Sequence, residues 1–362
     1  MSGVVIVGGG PAGAATAIAL ARAGRRPVLV EREMVATEKV CGEFLAEDAA
    51  RSLGTLGLDL AALGAVPISR ALFAAGGSSA ELRLPFAAWG LPRAVLDAAL
   101  MGLAHEAGAE LRLGVAVTGA ATEGAGWRLR LASGEKLDAM ALVVATGKHE
   151  LRGLARPTRG GAIGVKLPLL GAAPEAAVVL LACAGGYAGL QPRPGGGANL
   201  CAALDPRAPG VAAAARSAEA FLAHVARGSA LAERVLSALR PALPRPMTVA
   251  GVPYGFVHRA GGPFRVGDQA AVIPSFCGDG VAMALGSGLA AAEALAAGHD
   301  AARYHLFRAG EVAGGMRLSG AFAGLARRAP RMLVAGVALA PALASWAARR
   351  TRLGARGAEP VV

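Results

Sequence analysis

The run Val4-Val5-Ile6-Val7-Gly8-Gly9-Gly10-Pro11-Ala12-Gly13, read together with Glu31, decides the fold. Its β-branched residues stop at Gly8, and Gly8, Gly10 and Gly13 fall on the G-x-G-x-x-G spacing before the helical run Ala14 to Ala23. The pattern predicts strand, tight turn and helix. Gly8 permits the turn, Gly10 admits a pyrophosphate close to backbone, and Gly13 lets the helix pack on the strand. The first helical turn, carrying Pro11 and Ala12, then presents free N–H groups to phosphate. A second strand, Pro27 to Val30, delivers Glu31 18 positions beyond Gly13, close to the ~20-residue interval at which a carboxylate binds the ribose hydroxyls of an adenosine. Arg32 follows it. Strand, helix and acid in register predict a dinucleotide site.

Composition narrows the class. A chain of 362 residues, 54% hydrophobic, is long enough for two domains and a substantial core. The apolar stretch from Val4 to Ala21 lacks a basic leader and is broken by Gly-Gly-Gly-Pro, so it reads as a βα unit rather than a signal peptide, and a cytoplasmic location is expected. Cys41, Cys183, Cys201 and Cys277 are scattered, with no metal-ligand spacing. The formal charge of +12 could suggest nucleic acid, but aromatics are only 4% and the arginines are dispersed except near the C-terminus. An anionic cofactor or a membrane surface explains the charge better, and no nucleic-acid partner is expected.

Along the chain, Glu38 to Leu45 is a polar loop containing Cys41-Gly42, followed by a helical pattern from Ala46 to Leu56. Ser69 to Pro85 reads as two strands around Gly76-Gly77, and Arg93 opens the helix Ala94 to Ala107. Glu110–Leu113, Trp127–Leu131 and Ala141–Val144 then read as a three-stranded meander ending in Ala145-Thr146-Gly147. Ile163–Leu167, Ala177–Leu181 and Ala198–Leu204 are further strands, with Gly186-Tyr187-Ala188-Gly189-Leu190-Gln191-Pro192 between the last two. Helices are expected over Ala212–Ala226 and Ala230–Leu239 and a strand over Val249–Phe256. The nucleotide domain resumes at Phe264-Arg265-Val266-Gly267-Asp268. There Asp268 can bind a ribityl hydroxyl, and Pro274, Gly278, Gly280 and Val281 lead into a small-residue helix that runs to Ala297.

These segments together resemble the FAD-dependent oxidoreductases of the p-hydroxybenzoate hydroxylase and geranylgeranyl reductase superfamily, from Val4 to about Ala297. Gly8 to Gly13 with Glu31 matches the adenosine site. Lys39-Val40-Cys41-Gly42 resembles the loop that geranylgeranyl reductases place near the isoalloxazine. Arg93, with Asp97 behind it, matches an arginine directed at FAD. The segment Gly186 to Pro192 looks like a substrate-domain motif of the reductase branch, with Gly189 and Gln191 where aromatic residues are usual. Gly267-Asp268 through Gly280, with Ser287-Gly288, resembles the flavin-binding segment. The chain departs after Val144, where hydroxylases carry an Asp-Gly pair that serves NADPH and this chain has Ala145-Thr146-Gly147-Lys148-His149. The tryptophan motif of flavin-dependent halogenases is also absent, which sets halogenation aside.

The resemblance implies an α/β flavoprotein of the GR2-like class. Its Rossmann-type FAD-binding domain comprises 1–68, 90–150 and 258–300. A β-sheet-based substrate domain comprises 69–89 and 151–257, and C-terminal helices occupy 301–362. The cofactor is FAD, reduced by NAD(P)H or another electron donor. The substrate is bulky and apolar, polyketide- or isoprenoid-like, and monooxygenation is the first expectation, mainly because hydroxylases are the larger share of the superfamily that the chain resembles. The few charged residues in the middle of the chain are compatible with hydroxylation, which needs an apolar pocket and little acid–base machinery. Reduction of prenyl double bonds is the alternative. It would need a proton donor, for which Cys41 and Tyr187 are the candidates; a structural role is as good a reading of each. His149, with Lys148 and Arg152, reads as a solvated loop before it reads as a nicotinamide-phosphate site. Met332 to Ala348 is nearly uncharged between Arg327, Arg328 and Arg331 on one side and Arg349, Arg350 and Arg352 on the other. It reads first as a helix pair closing the substrate pocket and second as an interfacial helix giving peripheral membrane contact.

Overall fold

The computed structural model describes residues 2–157 and 160–352, so the end of the expected C-terminal region, 353–362, lies outside the described residues. In chain order, β1 (Ser2–Val7), α1 (Pro11–Arg22) and β2 (Val28–Glu31) form the opening βαβ unit. Next come β3 (Phe44–Ala46), α2 (Glu47–Thr55), the hairpin β4 (Val66–Ala75) and β5 (Ser78–Gly90), and α3 (Arg93–Glu106). Four strands follow, β6 (Glu110–Leu113), β7 (Val117–Glu123), β8 (Gly126–Leu131) and β9 (Lys136–Val144). Then come β10 (Ala162–Leu170), β11 (Ala177–Cys183), β12 (Gly186–Pro192) and β13 (Ala198–Leu204). The chain continues through α4 (Val211–Ala214), α5 (Ala218–Ala226), α6 (Ala230–Leu236), β14 (Arg240–Pro241), β15 (Met247–Val252) and β16 (Phe264–Arg265). It closes with α7 (Gly280–Ala296), α8 (Ala301–Arg328), α9 (Pro330–Leu339) and α10 (Pro341–Arg350).

The first sheet has the order β6-β2-β1-β9-β8-β7, with β16 also paired to β9. β6, β2, β1, β9 and β16 run parallel, and the strands at the centre, Val4–Val7 of β1, Val28–Val30 of β2 and Leu142–Val144 of β9, are apolar on both faces. Val4 and Ile6 join the core beneath α1, α3 and α7, whereas Val5 and Val7 pack with Leu129 and Leu137 of the antiparallel meander. That meander is β7-β8-β9 and does not begin at Glu110–Leu113, as the sequence suggested; those residues form the parallel edge strand β6. Val117-Thr118-Gly119-Ala120-Ala121-Thr122-Glu123 lacks alternation of large apolar residues, so β7 leaves no clear strand signal.

The second sheet has the order β14-β10-β13-β12-β11-β4-β5-β3, with β15 also on β10. Strand periodicity divides its two faces. Val165, Leu167, Val179, Leu181, Ala188 and Leu190 turn toward α4–α6 and pack with Phe221, which is wholly buried. Lys166, Tyr187, Gln191 and Leu180 fall on the alternate positions. The segment Gly186 to Pro192, read only as a motif from sequence, is thus a central strand, its small residues fitting between β11 and β13. α1 and α7 lie close together because both are built from small residues: a Cβ at Gly288 would fall 2.3 Å from the Ala12 carbonyl oxygen.

Candidate functional site

One cavity of about 310 Å³ lies between the two sheets, lined by both the N-terminal fingerprint and the second sheet. At its fingerprint end the turn is sterically fixed. Gly8 has φ +108°, and its N–H donates to the Val30 carbonyl at 2.9 Å. A Cβ at Gly13 would stand 1.9 Å from the Gly8 carbonyl oxygen, so only glycine permits this strand-to-helix contact. The first intrahelical bond runs from Ala14 N–H to the Gly10 carbonyl, which leaves the N–H groups of Ala12 and Gly13 ahead of the helical ladder. Glu31 accepts from Gly9 N–H at 2.6 Å and from Glu33 N–H at 3.1 Å, which aims its carboxylate from the end of β2.

Gly10, Pro11, Ala12, Arg93, Gly147, Gly267, Asp268, Gly278, Gly280 and Val281 come together on the cavity wall. Arg93 grips Asp97 through two hydrogen bonds of 2.8 Å. Burial disfavours the Arg93 charge, but Asp97 and the neighbouring Cys41 more than offset this, and the guanidinium is held charged beside Gly10. Asp268 pairs with Lys148 Nζ at 3.0 Å, so Lys148 belongs to this wall and not to a solvated loop. Arg156 braces the same corner by donating to the Asp268 carbonyl at 2.7 Å. Gly8, Gly13, Glu31, Arg32 and Pro274 do not line the cavity. Arg32 is exposed, where it meets His149 Nε2 at 3.2 Å, and the buried Pro274 accepts a hydrogen bond from Ser319.

The loop carrying Cys41 and Gly42 is held by charges that sequence reasoning missed. Lys166, fully buried on β10, donates to Glu38 and Glu43 at 2.5 Å each. Arg193 pairs with Glu38 and approaches Glu43 Oε2 at 3.5 Å. Asn199 donates to the carbonyls of Cys41 and Gly42 at 3.1 and 3.0 Å. Burial pushes the Glu43 carboxyl upward. Glu38 is less enclosed, and Lys166 and Arg193 outweigh its desolvation and hold it down. Glu43 also adopts φ +64°, a left-handed conformation that this network sustains. The available signal was a single lysine inside the apolar strand Ile163 to Leu170, since a lysine is rarely buried without partners.

The other half of the cavity is apolar, walled by Phe73, Leu82, Phe86, Val178, Leu180 and Phe276 and covered by Leu333, Val337 and Ala344 of the C-terminal helices. Its polar groups form a hydroxyl cluster: Tyr187 Oη lies 3.1 Å from Ser275 Oγ, and Tyr254 donates to the same oxygen at 3.2 Å. Burial raises both phenols well above their ordinary pKa. Cys41 Sγ accepts from Glu43 N–H at 3.3 Å and lies on the cavity wall, as does Tyr187. At the C-terminal edge Arg352 pairs with the buried Asp279 and stacks on Phe86 at 4.2 Å. Burial pushes the Asp279 carboxyl up to about 7.

The residues fit FAD. A Cβ at Gly42, Gly147 or Gly280 would enter open space, so these glycines leave room on the wall that the helix N-terminus, Arg93 and Asp268 share. Residues 1–154 match the family model described as FAD binding domain. A menaquinone reductase of Mycolicibacterium smegmatis is 31% identical over 170 residues, covering 44% of this chain and 39% of that protein, well under two thirds of its length. Among solved structures, the flavin-dependent brominase Bmp2 superposes with a TM-score of 0.77 at 19% identity, covering 97% of this chain and 93% of that one. A geranylgeranyl bacteriochlorophyll reductase-like protein of Thermoplasma acidophilum gives 0.73 at 16% identity, covering 99% and 96%. The probable FAD-dependent monooxygenase pqsL of Pseudomonas aeruginosa gives 0.73 at 20% identity, covering 93% and 99%. These structural likenesses concern the fold, and the matched N-terminal segment identifies residues 1–154 as an FAD-binding domain.

Proposed function

We propose that the protein is an FAD-dependent monooxygenase acting on a bulky apolar substrate, polyketide- or isoprenoid-like, with NAD(P)H or another donor reducing the flavin. The observation that carries this reading is the cavity itself, in which a cofactor wall of glycines, Arg93 and Asp268 continues into a chamber of aliphatic and phenyl side chains. Bound FAD would supply the electrons that activate dioxygen. The chain's own residues would do the rest. Ala12 and Gly13 N–H groups and Arg93 would meet the pyrophosphate, Glu31 the adenosine ribose, and Asp268 a ribityl hydroxyl. The Lys166 network would hold the 38–44 loop in place, and the C-terminal helices would keep water from the chamber. The two tyrosines, made weaker acids by burial, suit hydrogen bonding to a substrate oxygen better than proton delivery.

A second reading, reduction of a prenyl double bond, draws on the menaquinone reductase likeness and on Cys41 at the cavity wall. The test is purification with FAD, anaerobic titration with NADPH and NADH, and turnover of long-chain alkylphenols and prenylated quinones under isotopically labelled dioxygen. Label appearing in product supports monooxygenation. Unlabelled product with two added hydrogens supports reduction and overturns the first reading.

A further inference from the structure

The helices that cover the chamber have a second face. Along α9 and α10, Leu333, Val334, Val337 and Ala347 are buried. On the opposite side Met332 is 69% exposed, Leu339 87%, Leu343 63% and Trp346 53%. A helix on a protein surface ordinarily turns polar residues outward. Here no charged residue occurs from Met332 to Ala348, so the outward face is apolar throughout. Arginines bracket it: Arg327, Arg328, Arg349 and Arg350 are exposed, and Arg350 lies over the Trp346 ring at 5.2 Å. The whole sequence between Glu311 and Glu359 contains arginines but no acidic residue, so the segment itself carries charge of one sign.

We infer that this face is a docking surface for an anionic lipid bilayer, with Met332, Leu339, Leu343 and Trp346 entering the interface and the flanking arginines meeting lipid phosphates. Charge complementarity selects this occupant: exposed arginines at both ends of a face of protruding aliphatic and indole groups match an acidic headgroup layer over hydrocarbon. The helices lie on the membrane and do not cross it. Each has 10 residues and they meet at 110°, and at 1.5 Å per residue either spans about 15 Å, half of a ~30 Å hydrocarbon core. Leu333 and Val337 on the inner side line the chamber, so a docked bilayer would stand about one helix diameter, ~10 Å, from the apolar half of the site.

The test is co-sedimentation of the full-length protein with phosphatidylcholine vesicles containing or lacking phosphatidylglycerol, at low and high salt. Quenching of Trp346 by brominated lipid is read against a Trp346→Phe control. Binding should be at least ten-fold tighter to the anionic vesicles, fall with salt, and be lost in a Leu339→Asp/Leu343→Asp variant whose melting temperature is unchanged. Equal binding to both vesicle types, no binding at low salt, or concentration-dependent dimerisation that the same variant abolishes would each overturn it. Because the readout is vesicle binding, the result is independent of which reaction the chamber supports.

Discussion

Replacing Lys166 with methionine isolates the buried charge network behind the Cys41 loop. The substitution keeps most of the side-chain volume and removes the cation that contacts both Glu38 and Glu43. Glu38 retains Arg193 and is partly exposed, but Glu43 is left wholly buried with Arg193 Nε 3.5 Å away and the Arg93 N–H at 3.1 Å. Orphaning a buried charge costs about 3–5 kcal/mol. Protonation of Glu43 sets a ceiling on that loss. Taking a carboxyl from an unfolded pKa of ~4.3 to the neutral form at pH 7 costs about 1.4 kcal/mol per unit, roughly 4 kcal/mol in all, and only about 1 kcal/mol at pH 5. The sign follows from a folded pKa raised above the unfolded one: stability is retained below the unfolded pKa and lost as pH rises through the folded value. Because burial already raises Glu43 in the parent, part of that cost is present before the substitution. Lys166→Met should therefore be about 2 kcal/mol less stable than the parent at pH 7.5, and the deficit should shrink below about 1 kcal/mol at pH 5. Adding Glu43→Gln should recover at least ~1 kcal/mol at pH 7.5. Urea denaturation followed by circular dichroism at both pH values, without added FAD, measures all three. A variant as stable as the parent at pH 7.5, or a deficit independent of pH, would refute the claim that Lys166 neutralises Glu43.

Gly13→Ala should lower FAD affinity at least ten-fold and stability by about 2 kcal/mol, read by flavin fluorescence and thermal melting, because its Cβ would collide with the Gly8 carbonyl. Gly189→Phe should leave FAD content unchanged and raise substrate KM at least ten-fold; a Cβ there would meet only Leu180 Cδ2, at 3.8 Å, so the ring projects into the chamber, and an unchanged KM would place the substrate elsewhere. His305 donates from Nδ1 to the Ala260 carbonyl and accepts from Arg265 N–H at Nε2, and burial, with help from His258 and Arg265, pushes its pKa down to about 4. A folded pKa below the unfolded ~6.5 means stability present above pH 6.5 and lost as pH falls through 4, by at most about 3 kcal/mol; melting temperature against pH should show this component in the parent and lack it in His305→Phe.

What the sequence disclosed depended on the range of the interaction concerned. The βαβ unit was legible because its determinants are local: the run Val4 to Val7, the glycines at fixed offsets and Glu31 each act through neighbouring backbone. Asp268 was legible for the same reason, sitting in a Gly-Asp turn before a small-residue helix. Its partner Lys148 was misread as solvated, because the pairing joins two segments 120 residues apart in the chain, and nothing near Lys148 announces it. The Glu38–Lys166–Arg193 network has the same character. Its members lie on a loop, a strand and a turn that meet only when the second sheet has formed, though a lysine inside an apolar strand already requires some buried acid to exist. The C-terminal helices illustrate a different limit. An uncharged run framed by arginines fits both a pocket cover and an interfacial segment, and from sequence these read as rivals. In three dimensions they are two faces of one helix pair: Leu333 and Val337 close the chamber while Leu339 and Trp346 face outward, so assigning the inner face leaves the outer one still requiring an explanation.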